Sequence, residues 1–142
     1  MKILALSGGD LMVGSSGHQT ISGAAMIRQN LALHLGEVYG SDRFHPEMGS
    51  VLIEYVGEML DDETEMLVRA EAGRVVAQYI AIQDREVLRD HLAARASRFD
   101  SSDVVVGIRS IEARVTFDSV RISLSLLTQS GEVIPVNRTL QT

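Results

Sequence analysis

The most constraining feature of this sequence is a strict alternation of apolar and polar residues near its C-terminal end. Between positions 120 and 126 the chain reads Val120, Arg121, Ile122, Ser123, Leu124, Ser125 and Leu126. Because successive side chains of a β-strand point to opposite faces, this segment predicts a strand with one buried and one exposed face. Strand-like runs precede it at residues 104–111 and follow it at residues 133–140. We therefore expect a three-stranded antiparallel meander.

Two local details refine this meander. Pro135 lies inside the last run, and because proline has no N–H to donate to a strand ladder, an edge strand is expected there. Val115 and Phe117 are out of phase with the alternation that follows them, so a bulge or kink is expected near residues 118–119. The predicted sheet is therefore irregular at its first turn and open at its last strand.

Glu112 and Arg114 lie at the centre of this region, two residues apart. In an extended chain they share a face. They can pair with each other across a turn, an interaction typically worth less than about 1 kcal/mol when exposed. They can instead present a carboxylate and a guanidinium group to another chain, where arginine offers bidentate contacts. The residues alone leave both interpretations open, although an open terminal strand favours a role in binding.

The N-terminal segment predicts a β-hairpin. Residues 2–6 are typical of a short strand, residues 7–10 of a turn, and residues 11–13 of a returning strand. Residues 14–18 are then expected to form a flexible loop. This glycine-rich region lacks the Gly-Lys-Ser/Thr ending of a phosphate-binding loop, so the hairpin is the better interpretation.

Helical periodicity in the middle of the chain predicts about four helices. The first begins at Ser22 as N-cap and ends near Gly36, and the second covers residues 50–60. The third is capped by Asp62 and reaches about residue 82, and the fourth covers residues 84–96. The side chains expected to face the core are Ala24, Ile27, Leu31, Leu35, Leu52, Val56, Leu60, Val68, Ala72, Val75, Val76, Tyr79, Leu88 and Leu92. Together with the strands, this predicts an α+β fold in one domain, residues 1–142.

Composition narrows the classes of function. The chain has no cysteine, which excludes disulfides and thiolate metal sites. Its formal net charge of −6 argues against a general nucleic-acid or membrane-surface binder, because phosphate attraction needs clustered Lys and Arg. The apolar stretch at residues 3–6 is too short for a signal peptide or a membrane span.

No catalytic or metal-binding pattern stands out. The four histidines, His18, His34, His45 and His91, lack the spacing of a helical metal pair, so no metal and no cofactor is expected. Among enzymes, a lysozyme-type glycosidase is the best alternative, with Glu37 paired to Asp42 or Glu47. With 19 acidic residues in the chain, however, such neighbours arise readily by chance.

Several residues occur in a recognisable order. Gln29 lies late in the first predicted helix, Gly36 and Glu37 follow it, and Pro46 and Gly49 punctuate the next loop. The triplet Glu112-Ala113-Arg114 then opens the β-rich region. This order, over nearly the whole chain, resembles the small baseplate-wedge subunits of contractile injection machines. That family includes the wedge protein of T-even-like phages and its counterparts in type VI secretion systems and contractile bacteriocins. Ala113 departs from the family's Glu-Pro-Arg motif, in which proline holds this position.

The resemblance implies a structural role without catalysis. It implies a phage tail baseplate component, assembled in the bacterial host cytoplasm and retained in the virion, or the corresponding part of one of the other machines. Glu112 and Arg114 would then contact the larger wedge proteins. The last strand would contact the tail sheath subunit and template the first sheath ring by strand pairing, through Val133, Ile134, Val136, Arg138 and Leu140. Neither nucleic acid nor membrane is an expected partner. A generic adaptor outside any injection machine is a further alternative.

Overall fold

A computed structural model describes residues 1–58 and 61–141 of the chain. Within these ranges there are two α-helices, α1 (Gly23–Gly36) and α2 (Asp62–Leu92), and a short 3₁₀ helix at Leu52–Tyr55. The strands are β1 (Ile3–Leu4), β2 (Leu6–Ser7), β3 (Asp10–Leu11), β4 (Val13–Gly14), β5 (Gly17–His18), β6 (Thr20–Ile21), β7 (Val105–Val115), β8 (Ser119–Thr128) and β9 (Val133–Gln141). The α+β class is confirmed, whereas the expectation of about four helices is wrong.

The C-terminal sheet is the predicted antiparallel meander, with strand order β7-β8-β9. The alternation predicts the buried face of β8 correctly, because its apolar residues Val120, Ile122, Leu124 and Leu126 are all buried. β9 pairs with β8 in one unbroken register, from Ser119 opposite Gln141 to Leu127 opposite Val133. Pro135 therefore lies on an edge strand, as its missing N–H predicts.

The first strand of this sheet is longer than expected, so Glu112 and Arg114 lie inside β7 rather than beside a turn. A turn at residues 116–118 joins β7 to β8, and the N–H of Thr116 donates to the carbonyl oxygen of Ser119 (2.8 Å). The apolar–polar alternation therefore changes phase between residues 117 and 120 because a hairpin turn separates two strands there. The register shifts of β7 lie earlier, at Val105/Gly107 and Ile108/Ser110, and the bulge expected near residues 118–119 is not among them.

α1 agrees with its prediction at both ends. Ser22 occupies the N-cap position, although its side chain makes no capping hydrogen bond, and Gly36 is the last helical residue. Ile27, Leu31 and Leu35 are fully buried, as their spacing predicts. The helix packs against β9.

α2 is one continuous helix of 31 residues where two helices were expected. Its N-cap is Asp61 rather than Asp62, since the Asp61 carboxylate accepts a hydrogen bond from the N–H of Thr64 (2.7 Å). No glycine or proline interrupts residues 74–96, so nothing in the sequence ends the helix near position 83. The second half runs beyond the core. Leu88 and Leu92, expected to be buried, are therefore 55% and 76% exposed.

The helix expected at residues 50–60 is reduced to the 3₁₀ turn Leu52–Tyr55. Leu52 is buried as predicted. Gly57 then adopts a φ of 89°, a left-handed conformation that ends helical geometry. Leu60, expected to be buried, lies outside the described residues.

A single core lies between one face of the sheet and the helices. α2 packs against β7 while α1 packs against β9, and no helix among the described residues packs against the opposite face of the sheet. The residues of this core include Met26, Ile27, Leu31, Leu35, Val68, Ala72, Val75, Val76, Val120, Ile122, Leu124, Leu126, Ile134 and Val136. The sheet therefore has one buried face and one exposed face.

The N-terminal segment forms more structure than a single hairpin. β2 pairs with β3 as expected, but β4 also pairs with β5 across residues 14–17, which were expected to form a loop, and β1 pairs with β6. Three backbone hydrogen bonds of 2.9 Å close a ring at the centre, from Ala5 to Gln19, from Gln19 to Met12 and from Met12 to Ala5, each N–H to carbonyl oxygen. The segments around Ala5, Met12 and Gln19 thus each pair with the other two.

Candidate functional site

Glu112 and Arg114 lie in the second half of β7, on the face of the sheet that the helices leave uncovered. Both side chains are exposed, whereas Ala113 between them is 4% exposed and faces the core. Because they are two residues apart in a regular strand, Glu112 and Arg114 lie on one face although Ala113 replaces the proline of the Glu-Pro-Arg motif. In the part of the chain that the structure describes, no salt bridge joins them. The two charges are presented outwards separately.

The neighbouring strand contributes a second guanidinium group to this surface. In the β7–β8 register Arg114 lies opposite Arg121, and Glu112 lies opposite Ser123. These four residues and Ala113 line a shallow cavity of about 220 Å³. The sequence does not single out Arg121, because alternation shows that it faces outwards but not which residue it faces. Only the register of the two strands brings the arginines together.

The turn that joins the two strands carries an exposed aromatic side chain. Phe117 belongs to the turn between β7 and β8 and is 81% exposed. Exposed Phe beside Arg is a composition typical of protein–protein interfaces rather than of the remaining surface. We refer to Glu112, Arg114, Phe117, Arg121 and Ser123 together as the outer-face cluster.

The residues of β9 expected to contact a sheath subunit divide into two groups. Ile134, Val136 and Leu140 are at most 6% exposed and belong to the core of this chain, so their side chains cannot contact a partner without unfolding. Val133 is 40% exposed and accessible. The outward row of β9 consists of Val133, Pro135, Asn137, Thr139 and Gln141.

Arg138, the remaining β9 residue of that prediction, is held against α1. A β-carbon built at Gly36 would lie 2.5 Å from Nη2 of Arg138, so the guanidinium group lies directly against the end of α1 and would have to move if a larger residue replaced this glycine. A cation beside the C-terminal end of a helix is favourable, because unpaired carbonyl groups give that end a partial negative charge. Arg138 therefore joins β9 to α1.

The edge of β9 is regular and its outward side chains are uncharged. Natural edge strands are commonly protected from pairing by charged side chains, bulges or proline, and β9 contains Pro135, which removes one backbone donor from this edge. The other edge strand, β7, contains two register shifts, whereas β9 contains none. None of the five side chains in the outward row of β9 carries a charge. Among the described residues, no backbone hydrogen bond joins β9 to any segment beyond β8 and its connecting turn. This edge is therefore open to another strand.

The loop after α1 is tied tightly to both helices. Oγ of Ser50 donates to the carbonyl oxygen of Leu35 (2.7 Å), which caps the end of α1. Arg74 of α2 donates to the carbonyl oxygen of Gly49 (2.8 Å) and to Glu71 (2.8 Å). The Arg74 guanidinium group also lies 5.0 Å from the ring centroid of Tyr39, a cation–π contact. Gly49 thus has a structural role in seating this loop.

The three carboxylates of the glycosidase alternative each have another partner. Oε2 of Glu37 lies 3.3 Å from Nδ1 of His34. Asp42 accepts from the N–H of Phe44 (2.8 Å), and this backbone hydrogen bond is the main cause of its lowered pKa. Glu47 accepts from Arg85 (2.7 Å), and its pKa is also lowered, first by a hydrogen bond from its own backbone N–H and then by Arg85. A glycosidase general acid needs a raised pKa, so Asp42 and Glu47 are poorly suited to that role.

The histidines do not converge on a metal site. His34 and His45 line a cavity of about 310 Å³ together with Met26, Met48, Tyr79 and other residues. Burial lowers the pKa of His34, although Glu37 acts in the opposite direction. His18 and His91 are exposed elsewhere. Within residues 1–58 and 61–141 there is no group of three or more His, Asp or Glu side chains arranged to hold a metal ion.

None of the protein families, curated proteins or solved structures with which the chain was compared matches it. Across the described ranges, no helix is both long enough and apolar enough to cross a membrane. The function of the chain is therefore inferred from its own residues and their geometry.

Proposed function

We propose that this protein is a non-catalytic wedge subunit in the baseplate of a phage contractile tail. In this role it joins the larger wedge proteins and templates the first ring of the tail sheath by strand pairing. It would assemble in the bacterial host cytoplasm and remain in the virion. The corresponding subunit of a type VI secretion system or a contractile bacteriocin is the alternative. The observation that carries the proposal is the open edge of β9.

Strand pairing requires an edge whose backbone is accessible over several residues. β9 offers nine residues in one register, with an uncharged outward row and no bulge. In strand addition, main-chain hydrogen bonds supply affinity while alternate side chains supply specificity. Because Ile134, Val136 and Leu140 anchor β9 in the core, a sheath strand would pair with the backbone of β9 and contact its outward row.

The contact with larger wedge proteins is assigned to the outer-face cluster. Glu112 and Arg114 are exposed on a sheet face that no helix covers. Arginine donates to carboxylates in a bidentate geometry, which gives a protein contact both strength and orientation. The two proposed contacts use different groups, the side chains of the outer-face cluster and the backbone edge of β9, so one subunit can bind both partners at once.

The residues that carry the family resemblance also support the proposal. Gln29 binds the N-terminal strand, with its Oε1 accepting from the N–H of Leu6 (2.8 Å) and its Nε2 donating to the carbonyl oxygen of Leu4 (2.9 Å). Gly36 lies against the guanidinium group of Arg138, and Gly49 has a left-handed φ of 94° with backbone atoms of Val38 and Tyr39 close by. Gln29 and Gly49 thus each have a physical reason for their residue type within this fold.

The test is co-expression of the protein with the sheath subunit and the larger wedge proteins of a contractile tail from the same genome, followed by affinity capture. We expect the wild type to capture both partners. Arg114→Glu is expected to lose the wedge proteins and keep the sheath subunit. Val133→Lys, which charges the β9 edge at the end farthest from Arg121, is expected to lose the sheath subunit and keep the wedge proteins. Ser125→Lys, on the same face of the central strand, is the control and should capture both.

Two results would contradict the proposal. One is the absence of sheath and tube genes near the gene for this chain together with no captured wedge or sheath protein, which favours a generic adaptor. The other is hydrolysis of peptidoglycan that disappears in Glu37→Gln, which favours the glycosidase.

A further inference from the structure

Arg114 and Arg121 face each other across the β7–β8 pair on the exposed side of the sheet. Directly opposed residues of an antiparallel pair have Cβ atoms about 4.5–5.5 Å apart, and like charges at that separation destabilise the sheet. On the other side of Arg121 lies Thr139 of β9, which is uncharged. The central strand and its neighbour thus hold two guanidinium groups side by side with no carboxylate directly opposite either one.

The carboxylates nearest in the sheet form no ion pair with these arginines in the described residues. Glu112 is two positions from Arg114 and lies opposite Ser123, diagonal to Arg121. Asp118, in the adjoining turn, accepts a hydrogen bond from Oγ1 of Thr116 (2.9 Å). No salt bridge in the described part of the chain involves Arg114 or Arg121. The fold therefore places two like charges side by side with one carboxylate, Glu112, diagonal to them.

We propose that Arg114 and Arg121 together bind one carboxylate of a partner protein, which lies between the two guanidinium groups. Such a carboxylate would accept charge-assisted hydrogen bonds from both arginines and remove their mutual repulsion. The inference deepens the proposed function and rests on it for the partner's identity. It names the chemistry that a larger wedge protein brings to the outer-face cluster, an Asp or Glu side chain.

The surroundings of the arginine pair favour a protein carboxylate over a nucleic-acid phosphate. Binding to a phosphate backbone needs a broad basic surface, whereas this chain has a net charge of −6. Phe117, in the turn that joins β7 to β8, is 81% exposed and offers an apolar contact at the end of the same hairpin. Aromatic residues and arginines are the residue types that dominate protein–protein binding energy. The partner segment is therefore expected to carry an acidic residue next to an apolar one.

The repulsion can be tested on the protein alone. Arg121→Glu places a carboxylate opposite Arg114 and converts a repulsive cross-strand pair into an attractive one. We expect its Tm to rise by about 2–4 °C above that of the wild type. Ser125→Glu is the control, because it adds a carboxylate to the same strand and face, opposite Ser110 rather than an arginine. A Tm of Arg121→Glu that is no higher than that of the control overturns the premise.

Carboxylate binding can be tested with a defined probe at physiological salt. The probe is a helical alanine-rich peptide with glutamates and leucines along one side, and the control peptide has glutamine in place of glutamate. The measurement is the NMR signal of the Nε–H groups of Arg114 and Arg121. Both signals are expected to move with the glutamate peptide and to stay unchanged with the glutamine peptide. Arg121→Glu is expected to bind the glutamate peptide about tenfold more weakly, although it is the more stable protein.

Three outcomes would overturn the inference. The first is no movement of the arginine signals with the glutamate peptide, and the second is equal movement with both peptides. The third is a stronger response to a DNA oligonucleotide, which identifies a phosphate site. The co-expression experiment separates this inference from the proposed function. Capture of wedge proteins by wild type and by Arg121→Glu alike refutes the shared carboxylate and leaves the wedge role intact. Binding of the glutamate peptide without capture of wedge proteins supports the arginine pair and contradicts the wedge role.

Discussion

At the scale of single residues, a buried carboxylate joins segments that are far apart in the chain. Asp103 is 1% exposed and accepts hydrogen bonds from the N–H of Gly23 (2.7 Å) and of Asp100 (2.9 Å). It also pairs with the α-ammonium group of Met1 (2.5 Å). Burial by itself would raise the pKa of Asp103, but these donors outweigh it and hold the pKa below its ordinary value. Asp103 therefore ties the start of α1 to the segment before β7.

Replacing this carboxylate is expected to destabilise the protein. Asp103→Asn should lower the free energy of unfolding by about 1–3 kcal/mol, because an amide loses the charge and cannot accept from all three donors. Urea denaturation measures this difference. Asp100→Asn, which changes an exposed carboxylate nearby, is the control and should have little effect.

The same group gives stability a defined pH dependence. Because the pKa of Asp103 is lower in the folded state, its contribution is present above the unfolded pKa of about 3.9. That contribution is lost as the pH falls through the folded pKa. The Tm of the wild type should therefore fall more steeply below about pH 4 than that of Asp103→Asn. Parallel Tm curves for the two proteins would contradict this role for Asp103.

Glycine is required at position 49 by both backbone conformation and space. Gly49 has a φ of 94°, and a β-carbon there would lie 2.7 Å from the carbonyl oxygen of Val38. Gly131 has a similar φ of 87° but no atom within 4 Å of such a carbon. Gly49→Ala should therefore lower the free energy of unfolding by at least about 2 kcal/mol, and Gly131→Ala by about 1 kcal/mol. Chemical denaturation of the two variants tests the difference, and equal losses would show that backbone crowding at Gly49 is unimportant.

At the scale of secondary-structure elements, two glutamines fix the helices to strand edges. Gln29 of α1 binds the strand at Leu4 and Leu6, as described above. Gln83 of α2 is 5% exposed, accepts from the N–H of Val105 (2.8 Å) and donates to the carbonyl oxygen of Val105 (3.1 Å). Each side-chain amide thus satisfies one N–H and one carbonyl group, as a neighbouring strand would.

Removing the amide of Gln83 is expected to loosen the contact between α2 and β7. Gln83→Met keeps the side-chain length but leaves buried backbone groups of Val105 unpaired, which should cost about 1–3 kcal/mol. Hydrogen exchange should then be faster at the Val105 amide. The control is Gln78→Met, which changes a half-buried glutamine of the same helix. A Val105 amide that exchanges equally in both variants would contradict the contact.

The elements differ in how far the sequence predicts them. The meander was predictable because alternation is a local signal, and residues 120–126 display it without interruption. The number of helices was not predictable, because Asp84 resembles a helix N-cap in sequence. In the structure Asp84 lies inside α2, and Asp61 is the N-cap of that helix. The ring of short N-terminal strands and the pairing of Arg114 with Arg121 depend on strand register. Register is set by contacts between distant segments, which local patterns do not report.

At the scale of the whole molecule, the sheet divides the protein into a packed side and an open side. α1 and α2 cover one face and fill the core. The other face presents the outer-face cluster, and β9 leaves its backbone edge unpaired by other described segments. A molecule of this form is suited to assembly, because its two open surfaces can be occupied without rearranging the core.

Hydrogen exchange of the β9 amides with and without the purified sheath subunit tests strand templating most directly. Amides of residues 133–141 that point away from β8 should exchange rapidly in the free protein and become strongly protected in the complex. Amides that already bond to β8 should change little, which provides an internal control. A complex that forms while the outward amides of β9 keep their rapid exchange would contradict strand pairing as the basis of this protein's function.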